Sequence, residues 1–177
     1  MSGNQNGRSP RSVALVGPYS SGKSTLFEAM LDVAGAPVKR PADPRNRPMT
    51  TEIRIGHGSY LGDPWAVLDC PGSIEFNHEM CSALAMVDIA VVVCEPVPAR
   101  ALTVAPALKL LADLGVPHAL FINKIDTLEG SVRDTLAALQ AYAQSPLVLR
   151  QVPIIDGHVV NGYVDVVSER AYRYRKG

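Results

Sequence analysis

Residues 12–31 read SVALVGPYSSGKSTLFEAML. The apolar run at 12–16 has the length of a buried strand, and the spacing of apolar residues over 24–31 predicts a helix. Between them, residues 17–24 fit the pattern G-x-x-x-x-G-K-[ST]. A strand, a glycine-bounded loop and a helix in this order allow backbone N–H groups to surround a phosphate at the start of the helix.

The residues of this loop predict separate contacts with a bound nucleotide. Gly17 and Gly22 permit the turn and let the backbone approach phosphate. Lys23 offers a positive charge to the β- and γ-phosphates, and the Ser24 hydroxyl is a candidate ligand for Mg2+. The other loop residues expected to contact the nucleotide are Ser20, Ser21 and Thr25. The alternative is a glycine-rich turn that binds nothing, which the flanking strand and helix disfavour.

Outward from this loop, apolar runs alternate with helical patterns to about residue 145. This alternation predicts an α/β fold with a mostly parallel, doubly wound sheet, and together with the loop at 17–24 it predicts a three-layer sandwich of the P-loop NTPase type. Further strands are predicted at residues 51–60, 65–69, 89–94, 119–122 and 147–153. Further helices are predicted at residues 74–86, 100–114 and 131–143. Ser131 is the expected N-cap of the last helix, with Asp134 completing a capping box.

Glycine and proline predict the irregular parts of the chain. Gly56 and Gly58 inside a strand suggest an edge strand with a bulge. Four prolines between residues 33 and 48 predict a mobile loop, which also carries four basic residues. The dipeptides Asp156-Gly157 and Asn161-Gly162 are typical of hairpin turns, so the sheet is expected to be followed by a short antiparallel C-terminal extension.

A second motif, Asp69-Cys70-Pro71-Gly72, ends a predicted strand. In open α/β sheets, ligands bind at the carboxyl ends of the strands. The Asp69 carboxylate can hold a Mg2+-bound water there, and the Gly72 N–H can meet the γ-phosphate. This tetrapeptide is also a common turn, so its interpretation depends on the loop at 17–24.

A third motif, Asn123-Lys124-Ile125-Asp126, follows another predicted apolar strand. The Asp126 carboxylate can accept hydrogen bonds from the N1–H and the exocyclic amine of guanine, a donor pair that adenine lacks. With adenine that carboxylate would be desolvated and unpaired, so the motif predicts guanine. Lys124 can lie along the base, and Asn123 can tie this loop to the loop at 17–24. A polar turn is the alternative for these four residues alone.

Thr50 ends the proline-rich loop and precedes a predicted strand. Its hydroxyl and carbonyl can close over Mg2+ and the γ-phosphate, which would couple the order of the loop to the nucleotide. The alternative is an ordinary strand threonine, and Thr51 competes for the same role.

Composition excludes several classes of protein. The 177 residues include 17 Lys plus Arg and 17 Asp plus Glu, so the formal net charge is zero. A neutral chain has no overall attraction to nucleic acid, and sequence-specific DNA binding is not expected. No apolar run is long enough to span a bilayer, and residues 1–11 lack the apolar stretch of a signal peptide. The three cysteines lack the spacing of a disulfide framework and are typical of reduced thiols, so we expect a cytoplasmic protein. Because no apolar run could span a bilayer, we expect no membrane partner.

These motifs, in this order, resemble those of translational GTPases, most closely elongation factor G and its bacterial paralogues. The tail adds QVPI at 151–154, GYVDV at 162–166 and RAY at 170–172, which resemble the entry into the insertion of the elongation factor G nucleotide domain. The resemblance implies GTP or GDP as ligand, Mg2+ as cofactor, and the ribosome as partner of a full-length parent.

The resemblance also implies roles and boundaries. Lys23, Thr50 and Gly72 would act in catalysis, and the Mg2+ site would consist of Ser24, Thr50 and, through water, Asp69. The implied regions are a disordered tail at 1–11, a truncated GTPase domain at 12–150 and the start of the insertion at 151–177.

Three departures from the family pattern change the expected activity. Ser73 stands where the family has the histidine that positions the attacking water, so hydrolysis is expected to be slow. Ser20 stands where the family usually has aspartate. The last guanine-binding loop of the family has no match in this sequence, which suggests a fragment of a larger factor.

Three functions are compatible with these residues. The favoured one is a GTP-binding module of an elongation factor G-like GTPase that hydrolyses GTP slowly. The second is a nucleotide-binding switch or scaffold without appreciable hydrolysis, which Ser73 favours. The third is a P-loop ATPase or small-molecule kinase, which the motif at 123–126 disfavours.

Overall fold

A five-stranded, mostly parallel sheet forms the centre of the protein. The structure, a computed structural model, describes residues 10–38, 52–72, 77–157 and 159–175. The strands lie in the order β2-β3-β1-β4-β5, and all neighbouring pairs are parallel except β2 and β3. They are β1 (Arg11–Val16), β2 (Arg54–Tyr60), β3 (Asp63–Asp69), β4 (Ile89–Cys94) and β5 (His118–Ile122).

Helices cover both faces of this sheet. They are α1 (Lys23–Val33), α2 (Asn77–Leu84), α3 (Ala105–Asp113) and α4 (Val132–Gln140). Val13 and Leu15 of β1 pack with α1 on one face. Ala14 and Val16 of β1 lie in a second core cluster with residues of α2, α3 and α4. Because successive residues of a strand point to opposite faces, this alternation produces three layers, and the predicted α/β sandwich is confirmed.

The predicted antiparallel extension is confirmed as a separate sheet in the order β6-β7-β8. Its strands are β6 (Gln151–Asp156), β7 (Val159–Asp165) and β8 (Arg170–Arg173). Gly157 has a φ of +61° between β6 and β7, in line with the predicted turn. The turn predicted at Asn161-Gly162 is wrong, because both residues lie inside β7. A Cβ on Gly162 would clash with Tyr172 O, so the glycine allows the close approach of β8.

The two glycines of β2 also serve packing. The register of β2 with β3 is continuous, so the predicted bulge is wrong, although β2 is the edge strand that was expected. A Cβ on Gly56 would clash with Leu31 Cδ1, and one on Gly58 would clash with Ala34 Cβ. The missing side chains therefore let α1 and its end lie close against the strand.

Several predicted elements differ in their bounds from the observed ones, and two of the differences have a visible local cause. The helix predicted at 100–114 is a 3-10 helix, Pro98–Val104, followed by α3, whose first turn contains Pro106. Since proline lacks an N–H, it fits the first turn of a helix but not its interior. The strand predicted at 147–153 begins only at Gln151, because the Leu147 N–H donates to Gln140 Oε1 at 2.6 Å, at the end of α4.

One further prediction is confirmed, and several others concern residues that the structure does not describe. Ser131 and Asp134 form both halves of the capping box of α4, as predicted. The predicted tail falls largely outside the described residues, as do the centre of the proline-rich loop and residues 74–76 of a predicted helix. No helix in the described ranges is long and apolar enough to cross a membrane.

Leu111 provides a test of the packing between α3 and the sheet. It is 0% exposed, whereas Leu102 of the preceding 3-10 helix is 64% exposed. Leu111→Ala should lower the free energy of unfolding by about 2–5 kcal/mol through lost burial and a residual cavity. Leu102→Ala, the matched control, should change it by less than about 0.5 kcal/mol. Urea unfolding followed by circular dichroism would measure both, and equal effects would contradict this placement of α3.

Candidate functional site

The three predicted motifs lie at one edge of the main sheet. β1, β3, β4 and β5 run parallel, so their carboxyl ends share that edge. The loop at 17–22 follows β1, residues 70–72 follow β3, and residues 123–126 follow β5. Side-chain contacts connect these three segments.

Lys23 is the buried cation of the site. Its Nζ donates to Gly17 O and Pro18 O, each at 2.9 Å, and the residue is 7% exposed. Burial lowers the pKa of Lys23, and the nearby Asp69 carboxylate offsets part of that shift. No carboxylate forms an ion pair with this ammonium within the described ranges. A buried ammonium that lacks a direct counter-ion favours the approach of an anion.

The start of α1 adds backbone donors beside Lys23. The first hydrogen bond of the helix runs from Leu26 N–H to Gly22 O at 3.0 Å. The N–H groups of the first turn precede this bond, so they point out of the end of the helix rather than to a carbonyl one turn back. They carry the positive end of the helix dipole, which favours an anion at this end of α1.

Ser24 and Asp69 place oxygen donors next to Lys23. The Ser24 hydroxyl donates to Asp69 Oδ2 at 2.8 Å, and Asp69 is fully buried. Asp69 Oδ1 is buried and has no hydrogen-bond partner among the described residues. A hydroxyl and an unsatisfied carboxylate oxygen are the hard donors that Mg2+ prefers, so the residues present fit this ion.

The same site lacks a metal-binding cage made of protein alone. The described part of the chain contains no cluster of three or more His, Cys, Asp or Glu residues arranged to hold a metal. Mg2+ commonly takes most of its ligands from water and substrate phosphates, with only one or two from protein. The pair of Ser24 and Asp69 fits the small number of protein ligands that such a site requires.

Gly72 brings the loop after β3 against the loop after β1. A Cβ on Gly72 would lie 2.6 Å from Lys23 Nζ and 2.9 Å from Tyr19 N. Any larger residue would therefore displace the lysine or the loop. Cys70 is buried beside them, and burial, followed by the Asp69 charge, raises its pKa to about 12. Its thiol is thus protonated at neutral pH and is unsuited to act as a nucleophile.

Asn123 ties the loop after β5 to the loop after β1. Its Nδ2 donates to Ser21 O at 2.9 Å, which is the connection predicted from the sequence. A Cβ on Gly22 would clash with Asn123 Nδ2, so glycine leaves the space that this contact occupies. Asp126 lies in the 3-10 turn Ile125–Thr127, where its side chain is exposed and accessible to a ligand.

Lys124 is held by two partners. It has a φ of +54°, and its Nζ donates to Ser20 O at 2.7 Å and to Glu95 Oε1 at 2.5 Å. Burial by itself raises the pKa of Glu95, but hydrogen bonds from Lys124 and Arg100 bring it below its usual value. Glu95 therefore stays ionised and fixes Lys124 along the loop.

Two residues of the site, Glu95 and Arg54, were not predicted from the sequence. Glu95 follows β4 at the same sheet edge, and that position is the signal that could have identified it. Arg54 bonds to Asp69 across the pairing of β2 with β3, which local sequence does not reveal. The predicted Thr50 and Ser73 lie outside the described residues.

Comparison with known proteins identifies the family. The chain matches the elongation factor Tu GTP binding domain over residues 8–167. The chain belongs to this family. This GTP-binding domain is 38% identical to an elongation factor G-like protein of Synechocystis sp., over 98% of the chain and 28% of that protein. It is 27% identical to elongation factor G 1 of Borreliella burgdorferi, over 93% of the chain and 26% of that protein.

A solved structure has the same fold as this elongation factor GTP-binding domain. A crystal structure of a protein from Thermus thermophilus superposes with a TM-score of 0.80 and 29% identity, over 94% of this chain and 27% of that one. The resemblance inferred from the motifs is confirmed. The domain spans 28% or less of the length of these three proteins.

Gly22 allows a test of the tie between the two loops. Gly22 and Gly35 both have positive φ, +93° and +69°, but a Cβ on Gly35 would meet nothing within 4 Å. Alanine at either position introduces backbone strain of about 1 kcal/mol. Gly22→Ala should lower the free energy of unfolding by a further ~1 kcal/mol or more, because it also displaces Asn123 from Ser21. Equal losses for the two variants in urea unfolding would contradict the tie.

Proposed function

We propose that this domain binds GTP and GDP together with Mg2+ and hydrolyses GTP slowly. The observation that carries the proposal is the convergence of three bonded segments at one sheet edge. Lys23 lies beside the Ser24–Asp69 pair. The Asn123 side chain joins the base-reading motif to the same loop through Ser21.

The phosphates would bind at the start of α1. The N–H groups of residues 20–25 and the Lys23 ammonium would face the negative charge, with Gly17 and Gly22 permitting the close approach. The buried position of Lys23 supports this role, because low local polarity strengthens its attraction to an anion. Gly72, whose backbone lies against Lys23, would donate its N–H to the γ-phosphate.

Ser24 and Asp69 would hold the metal, with Thr50 as the third predicted residue. Mg2+, when bound, would supply positive charge that offsets the negative charge developing on the phosphates during transfer. The Ser24 hydroxyl would be a direct ligand, and Asp69 Oδ1 would accept a hydrogen bond from a metal-bound water. The unsatisfied state of this buried oxygen supports the assignment.

The base would bind at the loop after β5. The exposed Asp126 carboxylate would accept from guanine N1–H and the exocyclic amine, and Lys124 would lie along the base. The two hydrogen bonds that hold Lys124 to Ser20 and Glu95 support a preorganised base site. Adenine would leave the carboxylate unpaired, so we propose GTP rather than ATP as the ligand.

Hydrolysis would rest on electrostatic stabilisation by Lys23 and the backbone, with Thr50 and Gly72 contacting the γ-phosphate. Ser73 offers a hydroxyl where the family has a histidine to orient water, so we expect a low rate. A switch without appreciable hydrolysis is the second candidate, on the same sequence observation. In a longer protein that contains this domain, we propose the ribosome as its partner, since the relatives include elongation factors and a peptide chain release factor 3.

Asp126→Asn tests the proposed base recognition. The variant should lose GDP affinity by at least roughly 100-fold, because two hydrogen bonds to a charged acceptor are lost. It should gain affinity for xanthosine diphosphate, whose carbonyl can accept from the new amide. Calorimetry with GDP, ATP and xanthosine diphosphate in the presence of Mg2+ would measure these changes.

The control is Asp156→Asn, an exposed aspartate at the end of β6 in the smaller sheet, which should bind GDP as the parent does. Equal binding of ATP and GDP by the parent would contradict guanine recognition and favour an ATPase or kinase. A single-turnover assay with GTP would separate the two candidates. Product formation above that of a Lys23→Ala variant supports slow hydrolysis, and none supports a switch.

A further inference from the structure

Arg54 brings a positive charge to the carboxylate that we assign to the metal site. It is the first residue of β2 and stands in register opposite Asp69. Its Nη2 and Nε donate to Asp69 Oδ2 at 2.6 and 3.2 Å. The Ser24 hydroxyl donates to the same oxygen at 2.8 Å. Three donors therefore hold Oδ2, whereas Oδ1 has no partner among the described residues.

The neighbours of Arg54 fix its guanidinium in place. Its Cζ lies 4.9 Å from the centre of the Phe27 ring, and its Nη1 lies 3.7 Å from Glu28 Oε1. The Glu28 side chain is only 4% exposed. Phe27 and Glu28 belong to α1, the helix that begins with Lys23 and Ser24. A stacked and paired guanidinium is preorganised, so its charge stays close to Asp69.

We propose that Arg54 is a positioning residue that acts as a built-in cation at Asp69 and weakens the dependence of nucleotide binding on Mg2+. This inference rests on the function proposed above. The guanidinium repels a divalent cation bound at the same carboxylate, which lowers the affinity of the nucleotide complex for Mg2+. It also compensates the charge of Asp69 when Mg2+ is scarce, so that GDP is retained.

The consequence is a site that tolerates low Mg2+ better than one without the arginine. Without the guanidinium, Asp69 would be a buried carboxylate with Ser24 as its only hydrogen-bond donor among the described residues, and Mg2+ together with the nearby Lys23 would have to balance its charge. Removal of the charge at position 54 should therefore tighten Mg2+ binding and make GDP release faster when Mg2+ is withdrawn.

The experiment measures the dissociation rate of a fluorescent GDP analogue over free Mg2+ concentrations from chelator-buffered to millimolar. Arg54→Gln removes the charge but keeps an amide donor, and Arg54→Met keeps an apolar stem over Phe27. The Mg2+ midpoint is the free Mg2+ concentration at which the dissociation rate lies halfway between its values in chelator and at saturating Mg2+. Both variants should lower this midpoint roughly tenfold, the size expected for one nearby unit charge at a partly exposed site. Both should also release GDP roughly tenfold faster than the parent in chelator, for the same reason.

Two further variants separate charge from packing. Arg54→Lys keeps the charge and should restore the midpoint of the parent. Arg11→Gln is the matched control, because Arg11 lies 5.6 Å over the Trp65 ring and pairs with Asp63 at 3.0 Å, away from Asp69. It should leave the midpoint unchanged even if it lowers thermal stability, which circular dichroism would report for every variant.

Several results would overturn the inference. A folded Arg54→Gln or Arg54→Met with an unchanged or higher midpoint would reduce Arg54 to a structural role. A shift in Arg54→Lys equal to that in Arg54→Gln would show that charge is not the cause. Failure of the parent to bind GDP at any Mg2+ concentration would instead overturn the proposed function, and the inference with it. Binding of GDP with no effect at Arg54 leaves the proposed function intact and removes only the inference.

Discussion

The position of β1 is the constraint on which the rest of the structure depends. It pairs in parallel with β3 on one side and β4 on the other, and both of its faces are buried. Because β1 is paired on both sides and Val13 to Val16 are buried, packing fixes the position at which the strand ends. The loop at 17–22 begins there, so the sheet sets the position of Gly17 and of the turn that follows. A Cβ on Gly17 would clash with Val93 O, which shows how tightly the loop lies on β4.

The electrostatics of the site follow from this burial. The Lys23 ammonium donates hydrogen bonds to two carbonyl groups of the loop, and desolvation lowers its pKa. Asp69 is buried at the end of the neighbouring strand and takes donors from Ser24 and Arg54. Opposite charges thus lie close together without forming a direct pair between Lys23 and Asp69 in the described part of the chain. Such an arrangement leaves both groups able to interact with a polyanion and its metal.

The contacts that link the loops are few and specific. The Asn123 amide reaches Ser21 O, and the Lys124 ammonium reaches Ser20 O. Both donors come from the loop after β5, which is two strands away from β1 in the sheet. The same loop carries Asp126, so hydrogen bonds connect the segment that contains Asp126 to the loop after β1. This coupling is consistent with one ligand that spans both loops.

The sequence alone determined the order of elements and the identity of the family, because both are written in local patterns. Apolar runs, helical spacing and the motifs at 17–24, 69–72 and 123–126 are short-range features. Only the tertiary structure decided the partners of Arg54 and Glu95, because those contacts join residues distant in the chain. The tertiary structure also explains several glycines, because a neighbouring helix or strand lies too close to them for a side chain to fit. Pairing and close approach arise from packing in three dimensions, which a local pattern does not encode.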